Sequence, residues 1–363
     1  MRNQSNHQYG LGRAQRTAFT LLELLIVIAI MGVLVQLTLP AIEASRERAR
    51  KLTCQNHLKQ LAVATEMHVG AHRFFPSGGW SGAFLADPNR GYGPEQPGGW
   101  LFGVLDYLEE STLRRAGGDR LEAFPMGEGL KTLYQSAPTV FYCPSRREAR
   151  PYPFKRSGNG KWSLSAAQSV LLLPYVTKSD YAANSGDSLF SAAISFSNDA
   201  GMWVPTNYNT LATDPQKWTD TSDTNSPFFQ TGISYYRSDV RPAQVLDGLS
   251  KTYLCGDKLL STELYEDVNQ TDAVGMMGDN QSAWAGYEWD NHRVAWNPRS
   301  KWQPDKYQPR QDSPTLDLPG IFAFGSAHPN SLNMAFCDGS VRTIDYDIDA
   351  EVHRQQANRL DGS

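Results

Sequence analysis

The sequence predicts an α+β protein: one long N-terminal helix, membrane-spanning in its first half and amphipathic in its second, packed on an antiparallel β-sheet head. Three observations carry that expectation. Residues 19–39 contain only two strongly polar side chains, Glu23 and Gln36. Beyond Pro40, Leu58, Leu61, Thr65 and Val69 recur at helical spacing, with Lys59, Gln60 and Glu66 on other faces. From Phe74 onward, short runs rich in Tyr, Val, Phe and Trp alternate with clusters of Gly, Pro, Ser, Asn and Asp, the pattern of strands and loops.

As a helix, residues 19–39 would measure about 31 Å, close to the hydrocarbon thickness of a bilayer. A carboxylate such as Glu23 costs roughly 2.5–3.5 kcal/mol there on insertion scales, so something must offset it. Pro40 lacks a donor and should kink the helix without ending it, because apolar periodicity resumes beyond it. The helix should stop near Gly70, with Pro76 as a second breaker. The block "GGWLFGVLDYLEE" (98–110) predicts a short amphipathic helix through Trp100, Val104, Leu105 and Leu108. "SVLLLPYV" (169–176) is too short to span and reads as a buried strand. Residues 198–227 and 284–320, rich in Trp, Asn, Asp and Pro, read as long surface excursions. Asp338-Gly339 between alternating apolar runs predicts a hairpin with a type I′ turn, Met334 and Phe336 sharing one strand face. The expected organisation is a leader over 1–18, a spanning helix over 19–39, its amphipathic continuation over 40–72, a head over 73–346 and a tail over 347–363.

Composition narrows the function. The chain has 363 residues, 40% hydrophobic and 20% charged, so most of it is an ordinary folded body. Its net charge is −4, and removing a leader that carries Arg2, Arg13 and Arg16 but no acid would leave −7. A body that acidic lacks the basic footprint of a nucleic-acid binder. The cysteines, Cys54, Cys143, Cys255 and Cys337, are widely spaced without a CxxC, which argues against a zinc knuckle or a thioredoxin-type motif. In an exported body they allow two disulfides in three connectivities; the other reading is four buried thiols.

The N-terminus admits three readings. A cleaved signal peptide would have a shorter apolar core and a small-residue cleavage site, whereas here Pro40 and a charged helical stretch follow. A plain signal anchor fits the length but leaves Glu23 unexplained. The third reading rests on Ala18-Phe19-Thr20-Leu21-Leu22-Glu23, which resembles the processing site of type IV pilins and type II secretion pseudopilins. The resemblance implies that a prepilin peptidase cuts on the cytoplasmic side before Phe19 and methylates the new amine. Counted from Phe19, the glutamate falls fifth and Pro40 twenty-second, as in the family. There the glutamate neutralises the N-terminal amine of a neighbouring subunit, and paired charges inside a bilayer cost less than either alone. The family usually has Gly where this chain has Ala18. Positive charge near both ends of the span does not fix orientation; the resemblance implies a cytoplasmic leader and an extracytoplasmic head on the inner membrane.

"HPNSLNMAFCDGSVRTIDY" (328–346) resembles the C-terminal signature of a large uncharacterised bacterial family of pilin-like proteins: His328, nine residues, then Asp338-Gly339. "CQNHLKQLAVATEMH" (54–68), "GGWLFGVLDYLEE", "FYCPSR" (141–146) and "SDYAANSGD" (179–187) resemble further blocks of that family. Residues 188–245 and 284–320 match no block. The resemblance implies a Cys54–Cys143 disulfide, which would leave Cys255 and Cys337 for a second across adjacent strands. On the residues alone, the Asp-Gly stretch reads first as a structural hairpin.

Other sites were sought. Asp345, Asp347, Asp349 and Glu351 alternate like the start of an EF-hand, but Ala350 and Gln356 occupy the positions that need Gly and Glu. Major pseudopilins bind calcium in a C-terminal loop, so calcium remains the one cofactor candidate, against a solvated acidic face. No nucleophile elbow, P-loop, HExxH or dinucleotide loop occurs, and no catalytic residue is assigned. His68 and His72 stand at i, i+4, open to a two-His metal pair or to simple packing. Trp203, Trp218, Trp284, Trp289, Trp296 and Trp302 would serve as a sugar platform or as core anchors.

The expected function is a non-enzymatic, pilin-like structural subunit with three partners: prepilin peptidase, other pilin-like subunits through the N-terminal helix, and the bilayer. The alternative is a tethered extracytoplasmic protein that binds a carbohydrate or protein and never polymerises.

Overall fold

The computed structural model describes residues 20–80, 86–116, 128–154, 161–164, 169–172, 174–188, 229–266, 278–300 and 302–362. The expected excursion over 198–227 and the residues Ala18, Phe19, Trp203 and Trp218 lie outside them. The chain divides into two units, Met1–Ala49 and Arg50–Ser363.

The first unit holds the start of helix α1 (Leu21–His72), which runs through Pro40 as expected. Leu24, Ile28, Met31, Val35 and Leu39 are all more than half exposed. This is the one helix among the described residues long and apolar enough to cross a membrane, and none of that stretch is buried.

The second unit begins with the rest of α1, which buries Cys54, His57, Leu58, Leu61, Ala62, Ala64, Thr65 and His68. Short helices follow: α2 (Trp100–Val104), α3 (Ser111–Arg115) and α4 (Glu128–Gln135). Trp100 to Leu105 are buried on every side, so this block is a core plug and not an amphipathic helix. The five apolar side chains from Trp100 to Leu105, with Gly103, leave no polar face to expose.

Two small antiparallel ribbons come next, β1 (Tyr152–Pro153) with β4 (Tyr175–Val176), and β2 (Lys161–Leu164) with β3 (Ser169–Leu172). The single strand expected over 169–176 is thus two, interrupted before β4 around Pro174, which cannot donate to a ladder. The main sheet contains β5 (Tyr181–Asn184), β6 (Tyr253–Asp257), β7 (His292–Arg293), β10 (Ser331–Phe336) and β11 (Val341–Asp345), in the order β11-β10-β6-β5-β7. Its pairs are antiparallel except β5 with β7, which is parallel. A further parallel pair joins β8 (Arg310–Gln311) and β9 (Gly325–Ser326).

Strand β10 is buried throughout. Leu332, Met334 and Phe336 share one face, packing with Tyr253, Phe324, Ile344 and Ala357. Ala335 and Cys337 join the larger core with Leu58, Leu61, Trp100, Phe141, Tyr181 and Trp284. At β10 the sheet is therefore covered on both faces.

Two expectations need correction. The β10–β11 turn is not type I′. Positive φ among described non-glycine residues is confined to Arg73, Glu109, Arg237 and Asn330, so Asp338 does not adopt it, while Gly339 does at +74°. Phe336 pairs with Ser340 and Gly339 N donates to the Phe336 carbonyl at 3.0 Å, giving a three-residue connection that recruits Cys337. The stretch 284–295 is no surface excursion: Trp284, Ala285, Tyr287, His292 and Val294 are buried, and it supplies β7. The C-terminal stretch folds back as α5 (Ala350–Ala357), capped by Asp349, which accepts from Glu351 N and Val352 N, and anchored by buried His353 and Ala357. Asp349 and Glu351 thereby find roles in capping and in pairing Arg354, not in an EF-hand.

Candidate functional site: the helix seam and a buried cysteine–histidine cluster

The lower half of α1 presents two rows to the head. One is polar, at four-residue spacing: Lys51 Nζ donates to Ser331 Oγ at 2.6 Å, Gln55 Nε2 to Asn333 Oδ1 at 3.1 Å and Thr343 Oγ1 at 3.0 Å, and Lys59 Nζ to the Gly339 carbonyl at 2.7 Å. Residues four apart lie on one face, so this row reads along the β10–β11 hairpin. The row ends on the Asp-Gly turn. At Gly339 a side chain would need a strained positive φ, and its Cβ would collide with the Glu66 carboxylate of the helix. Asp338 braces the turn by accepting from Ser340 N at 3.0 Å and Ser340 Oγ at 2.6 Å.

The second row carries Cys54, whose Sγ lies 2.9 Å from Cys143 Sγ. His328 Nε2 lies 3.7 Å from Cys143 Sγ, and the three donor atoms are all within 4.8 Å of one another. None of the three side chains is exposed. Cys143 N donates to Asp180 Oδ2 at 2.7 Å, and His57 Nδ1 pairs with the Tyr142 carbonyl at 3.0 Å. Burial pushes the Cys143 thiol well up, Cys54 adds to the rise, and His328 pulls against it. All four cysteines are free thiols in the structure. Cys255 opposes Ala335, while Cys337 N donates to Thr252 O, and both side chains join the larger core cluster.

Next to Cys143 lies a buried charge network. Arg146 pairs with Asp312 at 2.8 Å and donates to the Asp180 carbonyl at 2.9 Å. Arg147 bridges Asp180 and Asp279, each at 2.6 Å, and Asp279 also receives Lys178 and Lys258. Burial alone would raise Asp279, but Arg147, Lys178 and Lys258 hold it well below the usual carboxylate range. Burial pushes the Lys258 ammonium down to about 8 against the pull of Asp279. Removing one member would leave an uncompensated buried charge, so the network fixes the segment that carries Cys143. Sequence reasoning missed these ionic partners, because their charges are scattered over more than a hundred residues without periodicity.

The other candidates resolve into packing. His72 stacks on Tyr92 at 4.1 Å and its Nε2 meets Tyr107 OH at 2.9 Å, while His68 Nδ1 faces the Phe74 carbonyl at 3.0 Å. The histidine pair is thus an aromatic plug at the helix end. Trp284 Nε1 donates to the Leu133 carbonyl at 2.8 Å and Trp100 Nε1 to the Asn291 carbonyl at 3.0 Å; Trp289, Trp296 and Trp302 pack partly buried around the Phe322 cluster. Trp100, Trp284, Trp289, Trp296 and Trp302 thus serve as core or loop anchors.

At the other end of α1, Thr20 and Glu23 form a capping box. Glu23 Oε2 accepts from Thr20 N at 2.8 Å and Thr20 Oγ1 at 2.9 Å, while Glu23 N donates to Thr20 Oγ1 at 3.2 Å. The T-x-x-E spacing was the legible signal for this second role of Glu23.

Two family models match this arrangement. The prokaryotic N-terminal methylation motif covers residues 13–35, and a family described as a protein of unknown function (DUF1559) covers residues 43–351. The chain belongs to this type IV pilin-like family. No curated protein and no solved structure matches it. The pilin-like assignment gives the geometry a frame: helix block, cysteine-proline block, central block and C-terminal signature converge through Cys54, Cys143, Asp180 and His328. The signature residues Asp338 and Gly339 terminate the seam along the same helix.

Proposed function

We propose that the chain is a membrane-anchored, pilin-like structural subunit, cut before Phe19 and N-methylated by a prepilin peptidase. Its leader would lie in the cytoplasm and its head outside the inner membrane. The apolar half of α1 would serve as anchor and as the seam for joining other pilin-like subunits in a secretion pseudopilus or filament. The observation that carries this reading is an apolar helix, exposed on every side, with one carboxylate a turn from its start. In the isolated chain that carboxylate caps its own helix, which limits its cost. In an assembly it would exchange Thr20 for a neighbour's terminal amine.

Mass spectrometry of the mature N-terminus tests the first step, with an N-methylated Phe19 expected and an intact leader refuting processing. Glu23→Ala should retain the membrane anchor and the folded head yet lose cross-linkable multimers. Multimers at wild-type yield would refute the assembly role.

A further inference from the structure

Cys54, Cys143 and His328 come from three distant parts of the chain: helix α1, the cysteine-proline turn, and the segment entering β10. They meet with the sulfurs 2.9 Å apart and the imidazole 3.7 Å from Cys143 Sγ, all within the core. We propose that the trio is a thiol–disulfide clasp between helix and head, with His328 taking up the proton that Cys143 must shed.

The sulfurs stand within about 1 Å of the disulfide bond length of about 2.05 Å. A tetrahedral metal fits less well. Metal–sulfur bonds of about 2.3 Å hold two thiolates roughly 3.7 Å apart, wider than this pair. The cluster also offers three such ligands, one short of a closed structural site. Burial and Cys54 hold the Cys143 thiol protonated, and two neighbours oppose them. Arg146 lies on the same turn and favours its thiolate, as does His328. Tyr181 of β5 and Asp257 of β6 face the cluster from the sheet, Asp180 holds Cys143 N, and His57 borders it from the helix. A cavity of about 440 Å³, lined by Thr53, His57, Tyr142 and Pro144, opens beside the chain neighbours of both cysteines.

The reaction is exchange with an external disulfide, R–S–S–R. His328 accepts the Cys143 proton, and the thiolate attacks one sulfur of R–S–S–R, forming Cys143–S–S–R and releasing one R–S⁻. Cys54, losing its proton in turn, attacks Cys143 Sγ and expels the second R–S⁻. The two protons end on the released thiols, and the two electrons from the protein sulfurs reduce R–S–S–R to two R–SH. A reducing thiol runs the same steps backwards. The product would join residues 89 apart.

The test uses full-length protein extracted in detergent, reduced, and exposed to oxidised glutathione, with alkylation, peptide mapping and thermal melting as readouts. The expected product loses two hydrogens, maps to Cys54–Cys143, leaves Cys255 and Cys337 alkylatable on unfolding, and melts about 10 °C higher than the reduced form. His328→Gln should oxidise about a hundredfold more slowly near neutral pH, the difference shrinking only at strongly alkaline pH, because burial keeps the thiol from ionising unaided. Cys54→Ser should trap glutathione on Cys143 as a mixed disulfide, a readout that remains if His328→Gln does not fold. Cys54 and Cys143 still alkylatable after oxidation, or a stoichiometric zinc ion retained by the two thiols, would overturn the clasp. Equal oxidation rates with and without His328 at every pH would overturn its role. Because the reaction is run on purified protein, its outcome is independent of whether the subunit is processed or assembled.

Discussion

Helix α1 carries two different solvents' requirements on one backbone. Between residues 21 and 42 it is largely apolar, with Glu23 near its start, and exposed throughout; from residue 50 it is sorted into a buried apolar face and polar rows. The two halves belong to one helix, in which Pro40 has no N–H to donate. The side chains distinguish them. A uniform apolar coat has no lowest-energy face in a bilayer and can join any similar helix, whereas the sorted half is fixed by its partners Ser331, Asn333, Thr343 and Gly339. The docked half is held to one partner surface, and the apolar half shows no such sorted face.

Acid should break this comparison most widely. The docked half and head bury histidines that the exposed half lacks. Burial pushes His68 and His292 down to about 3 and His353 to about 4. In the unfolded chain the same side chains take protons near 6.5. The folded state therefore binds fewer protons as pH falls through that window, and each histidine removes up to about 1.4 kcal/mol of stability per pH unit. Asp290 acts oppositely: burial raises it to about 6, so the folded state gains a proton the unfolded carboxylate takes only near 4. These four groups alone give a net of about two protons, a loss of about 3 kcal/mol per unit between pH 6 and 4. Near-ultraviolet circular dichroism of the detergent-solubilised protein should show the head melting in that range. Head stability unchanged from pH 7 to 4 would mean the histidines are not buried neutral.

The second prediction sets one substitution in each half side by side. Leu61 is fully buried, and Leu61→Ala should destabilise the head by about 3 kcal/mol through lost transfer energy and a residual cavity. Ile30 is 56% exposed, and Ile30→Ala should leave head stability within about 0.5 kcal/mol. Urea midpoints of the two variants check both. Equal effects would show that the halves are not energetically separate.

That separation was legible from sequence because the two halves have different hydrophobic patterns, one continuous and one periodic. The hairpin was legible for the same reason, through alternation around Asp338-Gly339. Its turn type was not, because Cys337 joins the loop between the paired residues Phe336 and Ser340, and one extra loop residue carries no local signature. The buried cluster was illegible as geometry: Cys54, Cys143 and His328 are separated by 89 and 185 residues, and only the assembled sheet brings them together. The burial of 284–295 was misread because Trp, Asn and Asp there look like a loop. In the fold, Asn291 Nδ2 donates to the Ser282 and Ala285 carbonyls and satisfies them inside the core.

The smallest expected effect sharpens the comparison at a single point. Gly339 is where the polar row of the docked half meets the hairpin, and two separate constraints fall on it. Its φ of +74° costs an alanine about 1–2 kcal/mol through backbone strain alone. A new Cβ would also displace the Glu66 carboxylate, a cost that a flexible side chain can relieve by turning away. Gly339→Ala should therefore destabilise the head by about 1–2 kcal/mol, and the same substitution in a Glu66→Ala background should cost only slightly less. A double-mutant cycle reads the difference directly. A coupling near zero would assign the glycine to the turn alone. A coupling as large as the whole effect would assign it to the helix, making the Asp-Gly pair a docking device first and a turn second.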